Sequence, residues 1–109
     1  MSKYIFKPRD TFTKDLNYLS KIDKSIRLEI KSVIDILIDG EKLPDEYDDH
    51  ELQRKFQGYR EFHIRDTPKG IRASEKNDVI VIYKKQRKRL ILIGVRVGSH
   101  DKLFKNKHK

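Results

Sequence analysis

The apolar residues of this chain change their period near residue 58, and that change limits the fold more than any other feature. Before it, Phe12, Leu16 and Leu19, then Ile26, Ile30, Val33, Ile34, Leu37 and Ile38, recur every three or four positions. That spacing lines one side of a helix. After it, Tyr59 to Arg65 alternates, and Val79–Tyr83 and Leu90–Val97 are runs rich in β-branched residues. Such residues fit the pleated surface of a sheet. Helices followed by strands in 109 residues predict an α+β fold with two N-terminal helices packed on one small antiparallel sheet.

Shorter signals set the boundaries. Tyr4–Lys7 reads as a first strand stopped by Pro8, giving the order β-α-α-β-β-β. Thr11 or Thr13 caps the first helix, Asp23 the second, and Gly40 ends it. Leu43–Lys55, with Pro44 and several acids, is a polar connection that has room for a short helical turn. Thr67–Asn77, with Pro68 and Gly70, predicts a long hairpin loop, and Gln86–Lys88 a tighter turn. Residues 1–104 read as one domain and 105–109 as a basic tail in which His108 is solvated.

Composition speaks to partners. Lys and Arg number 26 against 17 Asp and Glu, a net charge of +9 that calls for a polyanion, with RNA the first to consider. The absence of cysteine excludes disulfides and thiolate chemistry and fits a reducing cytosol. No apolar run approaches the ~20 residues that span a bilayer. The amino terminus also lacks the apolar segment of a signal peptide, so a cytoplasmic product without membrane attachment is expected.

Two stretches carry chemistry. Arg96-Val97-Gly98-Ser99-His100 ends one strand, and Tyr59-Arg60-Glu61-Phe62-His63 opens another, with His50 just upstream. Each stretch couples a permanent cation to an imidazole, a pairing suited to proton transfer around a phosphate. His100 lies just past a strand end, where it is either a rim residue of a site or a loop histidine. Arg96 needs an anion, either a phosphate or an internal partner such as Glu61 or an aspartate. Alternation puts Tyr59, Glu61, His63 and Arg65 on one face, leaving Arg60, Phe62 and Ile64 on the other. Phe62 and Ile64 belong to the core, so His63 faces outward. The separations of 13 and 37 residues between the three histidines match no local ligand motif, so neither metal nor cofactor is expected. Lys84, Lys85, Arg87, Lys88 and Arg89 surround one hairpin, as a solvated turn or as phosphate contacts.

In order along the chain stand Leu43-Pro44 with Tyr47, Asp49-His50-Glu51-Leu52, and Gly58-Tyr59-Arg60-Glu61 with His63. Asp78 leading into Ile82-Tyr83-Lys84 follows, then Arg96, Gly98-Ser99-His100 and Leu103-Phe104. In these blocks the chain resembles the YafQ branch of the RelE/ParE toxin superfamily. The resemblance implies a RelE-like microbial ribonuclease fold and a metal-independent endoribonuclease that cuts mRNA in the ribosomal A site, inhibiting translation. It also implies a cognate acidic antitoxin of the DinJ type, which would supply any DNA binding. The family site maps onto His50, His63, Asp78, His100 and Phe104, with Arg96 near the scissile phosphate. The loop after His63 is longer than the family's, so Asp66 competes with Asp78; Asp78 is preferred because the strand Val79–Tyr83 follows it. The aromatic residue common after that aspartate is Val79 here, which leaves base stacking to Tyr59 or Phe104.

The expected chemistry is attack of the RNA's own 2′-OH on its 3′-phosphate. His100 serves as acid, and His50 or His63 as its complement. Asp78 orients an imidazole or acts as base, while Arg96, with Arg60, stabilises charge. The competing reading is a non-catalytic basic module, either a ParE-like topoisomerase inhibitor or a nucleic-acid binder, which needs the cations and not the histidines.

Overall fold

Ile26, Ile30, Val33, Ile34 and Leu37 form the buried stripe of a helix, and their partners are Phe62, Val81, Tyr83, Leu92 and Val97 on a sheet. A computed structural model describes residues 2–104; the expected basic tail and His108 lie outside them. Strand β1 (Ile5–Pro8) leads into helices α1 (Asp10–Ile22) and α2 (Ser25–Ile38). The polar connection holds two short 3-10 turns, Asp45–Tyr47 and Arg54–Phe56, on either side of strand β2 (His50–Glu51). Strands β3 (Arg60–Arg65), β4 (Val79–Gln86) and β5 (Ile91–Gly98) follow, and helix α3 (His100–Phe104) completes the described chain. None of its helices is long and apolar enough to cross a membrane.

The α+β class and the β-α-α-β-β-β frame are as expected, with three additions. β1 pairs parallel with β5, so the five-stranded sheet β1-β5-β4-β3-β2 is mixed rather than wholly antiparallel. The short β2 pairs antiparallel with β3, and α3 follows β5. Apolar periodicity reveals that a strand exists, not which neighbour it takes. β4 is buried on both faces: Val79, Val81 and Tyr83 belong to the helix-side core, while Ile80 and Ile82 are buried on the other face. Burial on both sides explains why its sequence is a continuous apolar run.

β5 runs on past the end of β1, and α1 takes over its edge. The Arg9 amide donates to the Gly94 carbonyl, the Thr11 hydroxyl donates to Val95 O at 2.6 Å, and Asp15 accepts the Val97 amide at 2.9 Å. Thr11 is therefore not a helix cap, nor is Thr13: the N-cap is Arg9, without a side-chain cap. Its hydroxyl answers an orphan carbonyl on the neighbouring strand instead. Asp23 sits one residue before the α2 N-cap, yet its carboxylate accepts the Ser25 amide and hydroxyl. Gly40 ends α2 as expected: at φ +80° its amide donates to Leu37 O while that of Glu41 reaches Ile36 O. This is a Schellman closure, and the left-handed backbone it requires favours glycine.

Alternation along β3 breaks after His63. His63 pairs with Ile80 but Arg65 pairs with Val79, so Ile64 is bulged. The extra residue turns Arg65 to the helix side, correcting the shared face expected for it with His63. There it bonds Glu29 through both Nε (2.9 Å) and Nη2 (2.7 Å), Asp23 at 3.0 Å, and the Ser25 hydroxyl. Hydrogen bonds from Ser25 and then Arg65 hold the Asp23 carboxyl at about 2, and Arg65 holds that of Glu29 below its ordinary value. Both carboxyls are depressed in the folded state. Their contribution is complete above the unfolded carboxylate values of roughly 4 and is lost as pH falls through the folded values. Urea denaturation at several pH values should show stability falling between about pH 4 and pH 2, and Arg65→Met should be less stable at neutral pH with a flatter acid limb.

Gly94 makes a tighter demand. A Cβ there would lie 2.7 Å from Phe6 Cζ and 2.8 Å from Phe12 Cδ2, two rings packed edge to face at 5.4 Å. Gly94→Ala should cost about 1–3 kcal/mol in denaturation experiments through overpacking.

Candidate active site

On the sheet face away from α2, pairing register lays out two rows of side chains. His50, Glu61, Ile82 and Arg96 are successive cross-strand partners, and beside them run His63, Ile80 and Gly98. α3 then folds back over Gly98, where a Cβ would meet Leu103 at 3.3 Å, and brings His100 onto the same face. Residues far apart in the chain thus meet on one patch. Ring centroids lie 6.0 Å apart for His50 and His63, and 5.0 Å for His63 and His100.

At the centre is Glu61, only 4% exposed. Its Oε2 lies 3.2 Å from Nε2 of His50, 3.0 Å from Nε2 of His63 and 3.8 Å from Nε2 of His100. Its Oε1 is buried with no hydrogen-bond partner among the described residues. Leaving such an acceptor unmet costs about 1–3 kcal/mol, and groups like it persist mostly where they serve a purpose. The sequence placed Glu61 on the face of His63 but did not mark it as a site residue. The missing signal was its cross-strand pairing with His50, which needs the tertiary register.

The Nδ1 atoms are held from behind. His50 Nδ1–H donates to the Asp48 carbonyl at 2.6 Å, which fixes its tautomer because a carbonyl only accepts. Nδ1 of His63 meets Asp66 Oδ1 at 2.6 Å, and Nδ1 of His100 meets Asp78 Oδ1 at 2.8 Å. Asp78 Oδ2 also accepts the His100 amide at 2.9 Å, so one carboxylate orients both backbone and ring. Asp66 and Asp78 therefore do not compete; each backs a different imidazole. Burial disfavours the charged form of His63, but hydrogen bonds to Asp66 and Glu61 outweigh it and raise its pKa above the ordinary 6.5. Two carboxylates thus favour the imidazolium form of His63, while His50 and His100 stand 42% exposed at the rim of the cluster.

Arg96 takes the internal partner that its strand position allowed, an aspartate. Its Nε and Nη2 reach Asp15 at 2.6 and 3.1 Å. Ile82 separates it from Glu61, so at two strand spacings it stands roughly 10 Å away along the row. It is a fixed cation at the margin, not a member of the imidazole cluster. Phe104 stacks edge-on against Phe56 at 5.1 Å, with its ring 6.2 Å from that of His100. Tyr59 lies beneath the cations of Arg9 and Lys84 at 5.9 and 5.5 Å.

The other cations divide between the two faces. Arg60 pairs with Tyr83 and bonds Asp49 Oδ1 and the Tyr83 hydroxyl, each at 3.2 Å, on the helix side of β3. It cannot stabilise charge beside the imidazoles, which corrects the role expected for it. Lys84 and Lys85 also part, because successive strand residues face opposite ways: Lys84 covers Tyr59, and Lys85 covers Tyr4 on the core side. Arg54, Arg60, Lys85 and Arg87 share the lining of a cleft of about 610 Å³ next to the Leu52–Tyr59 loop, separate from the histidines. Lys88 stays exposed in the β4–β5 turn.

The chain is similar to several solved toxins. YafQ of E. coli is 27% identical, with a TM-score of 0.73 over 93% of this chain and 98% of that one. The toxin in the E. coli DinJ-YafQ complex is 29% identical, with a TM-score of 0.73 over the same shares. A metal-bound toxin of Helicobacter pylori is 26% identical, with a TM-score of 0.74 over 95% of this chain and all of that one. Among curated protein sequences none matches. The family described as bacterial toxin of type II toxin-antitoxin system, YafQ, matches residues 4–105. With almost its whole length inside that match, the chain belongs to the YafQ family of type II toxins.

Proposed function

We propose that this toxin is an endoribonuclease that cuts mRNA in the ribosomal A site, using acid/base chemistry supplied by its own side chains. The observation that carries the reading is the convergence of the Nε2 atoms of His50, His63 and His100 around Glu61 Oε2. A module that merely bound a polyanion would need none of this. In the reaction, the 2′-OH gives its proton to a base and its oxygen attacks the adjacent phosphorus. The P–O5′ bond breaks, a 2′,3′-cyclic phosphate forms, and an acid protonates the departing O5′. His100, exposed at the rim and oriented by Asp78, is the acid. His50, more exposed at the rim, fits the base better than His63, which Asp66 and Glu61 hold as a cation. His63, held as a cation, offsets charge growing on the phosphoryl oxygens, and Arg96 adds a second cation at the margin. Phe104, beside His100, offers the aromatic face for a base that Val79 does not.

A partner follows from the same family. The DinJ-YafQ complex is an antitoxin bound to a toxin like this one, and an acidic, DinJ-like antitoxin is the natural counterpart to a chain of net charge +9. DNA contact belongs to that partner in this reading.

Cut-site mapping on translated and free transcripts tests the proposal. Wild type should cleave ribosome-engaged mRNA, and His100→Ala should lower the rate by about 10²–10⁴-fold with an unchanged circular-dichroism spectrum. Full activity in His100→Ala removes that residue from the mechanism; an intact message with wild type, alongside stalled replication, favours the topoisomerase alternative.

A further inference from the structure

The imidazole face leaves a second concave site unused. Beside the Leu52–Tyr59 loop lies the cleft of about 610 Å³, and a basin of about 250 Å³ adjoins it through the shared walls Arg60, Lys85 and Arg87. Arg60 is already answered by Asp49 at 3.2 Å and Glu51 at 3.6 Å. Arg54, Lys85 and Arg87 have no ion-pair partner among the described residues, and Glu51 is the one carboxylate on the cleft wall. Like charges gathered without partners repel one another, and an anionic ligand relieves them.

Arg54 is also the residue that local structure would least choose at its position. Its φ is +60°, a left-handed backbone that favours glycine. The loop imposes that geometry: the Gln57 amide donates to Arg54 O at 2.9 Å, and the Leu52 amide donates to Tyr59 O at 2.9 Å. A long cation there does nothing for folding and points to a use for the guanidinium itself. The rest of the lining is polar, with Gln53 and Gln57 exposed and Leu52 the one aliphatic wall. A peptide partner would want apolar pockets for its anchors, whereas a phosphodiester chain needs cations and hydrogen-bond donors. Tyr59 joins the cleft to the reactive face. It lines the cleft, gathers the Arg9 and Lys84 cations about its ring, and precedes Glu61 by two residues, roughly 7 Å of strand.

We propose that the cleft is a second RNA site, in which the message strand, after passing Tyr59, lays a neighbouring phosphate between Arg54, Lys85 and Arg87. The two guanidinium forks match phosphate oxygens, Lys85 adds a point charge, and the Gln53 and Gln57 amides meet sugar or base. The site grips the strand and takes no part in bond breaking, so it acts on KM and not on kcat. That the strand is the message rests on the ribonuclease reading; the binding of RNA phosphate does not.

A single-stranded 2′-O-methyl oligonucleotide lacks the attacking hydroxyl, so fluorescence anisotropy with it reads binding without cleavage. Arg54→Gly and Arg87→Gln should each weaken binding about 3–10-fold at low salt and flatten the slope of log affinity against log salt by roughly 0.7 per lost contact. Lys31→Gln removes the same charge from α2, beside Asp35, and sets the baseline for net charge alone. Arg54→Gly also relaxes the left-handed backbone, so its urea midpoint should match or exceed that of wild type, which a residue kept for folding would not allow. On translating ribosomes the double variant should show a raised KM and an unchanged kcat. Losses no larger than those of Lys31→Gln overturn the site. Intact oligonucleotide binding with weakened ribosome binding gives the cations to ribosomal RNA and overturns the message assignment. Lost binding of poly-L-glutamate, with the oligonucleotide unaffected, overturns the proposal in favour of an acidic protein. If the oligonucleotide binds through these cations but wild type leaves translated messages uncut, the ribonuclease reading fails and the RNA site stands.

Discussion

A buried carboxylate is tolerable only when charge or hydrogen bonds answer it, and Glu61 obliges the rest of the site to supply them. It sits second in a row that begins with His50, and β3 puts His63 two residues on. Completing the shell requires His100 to return from beyond β5, which the turn through Gly98 and Ser99 into α3 accomplishes. The outer partners, Asp66, Asp78 and the Asp48 carbonyl, follow in turn, because each imidazole facing Glu61 leaves its Nδ1 to satisfy. Charge alternates outward in layers: carboxylate, imidazole, then carboxylate or carbonyl. Such an arrangement keeps side chains in single orientations and leaves the Nε2 edges as the reactive surface.

The surplus of positive charge is not one patch. The sheet divides it, placing Lys84 and Arg96 toward the histidine face and Arg60 and Lys85 toward the helix side. Attraction of a polyanion at long range depends on the summed charge and is indifferent to this division. Contact at short range is not, since only the cations that share the imidazole face can touch a phosphate placed there.

Much of this was legible in the sequence where local rules dominate. The switch of period gave both helices and the three long strands, and Gly40 marked the α2 terminus because a Schellman closure needs a left-handed residue. Spacing and family pattern marked His50, His63, Asp78 and His100, all of which reach the patch. The misses have a common cause in partners distant along the chain. Thr11 looked like a cap, but Val95 claimed its hydroxyl; and of the partners left open for Arg96, the sequence could not say that one is Asp15 on α1. Alternation failed at Ile64 because a bulge adds a residue without a sequence marker, and β1's choice of a parallel neighbour has no periodic signature at all.

That bulge has a wider effect. On one side of it the strand presents His63 to the imidazole cluster; on the other, Arg65 clasps Asp23, Ser25 and Glu29. The opening turn of α2 and the reactive face are consequently fastened to opposite surfaces of a single short ribbon. Mutational drift at Glu29 or Asp23 is therefore not free to follow helix stability alone: it carries a debt to an imidazole that neither residue touches.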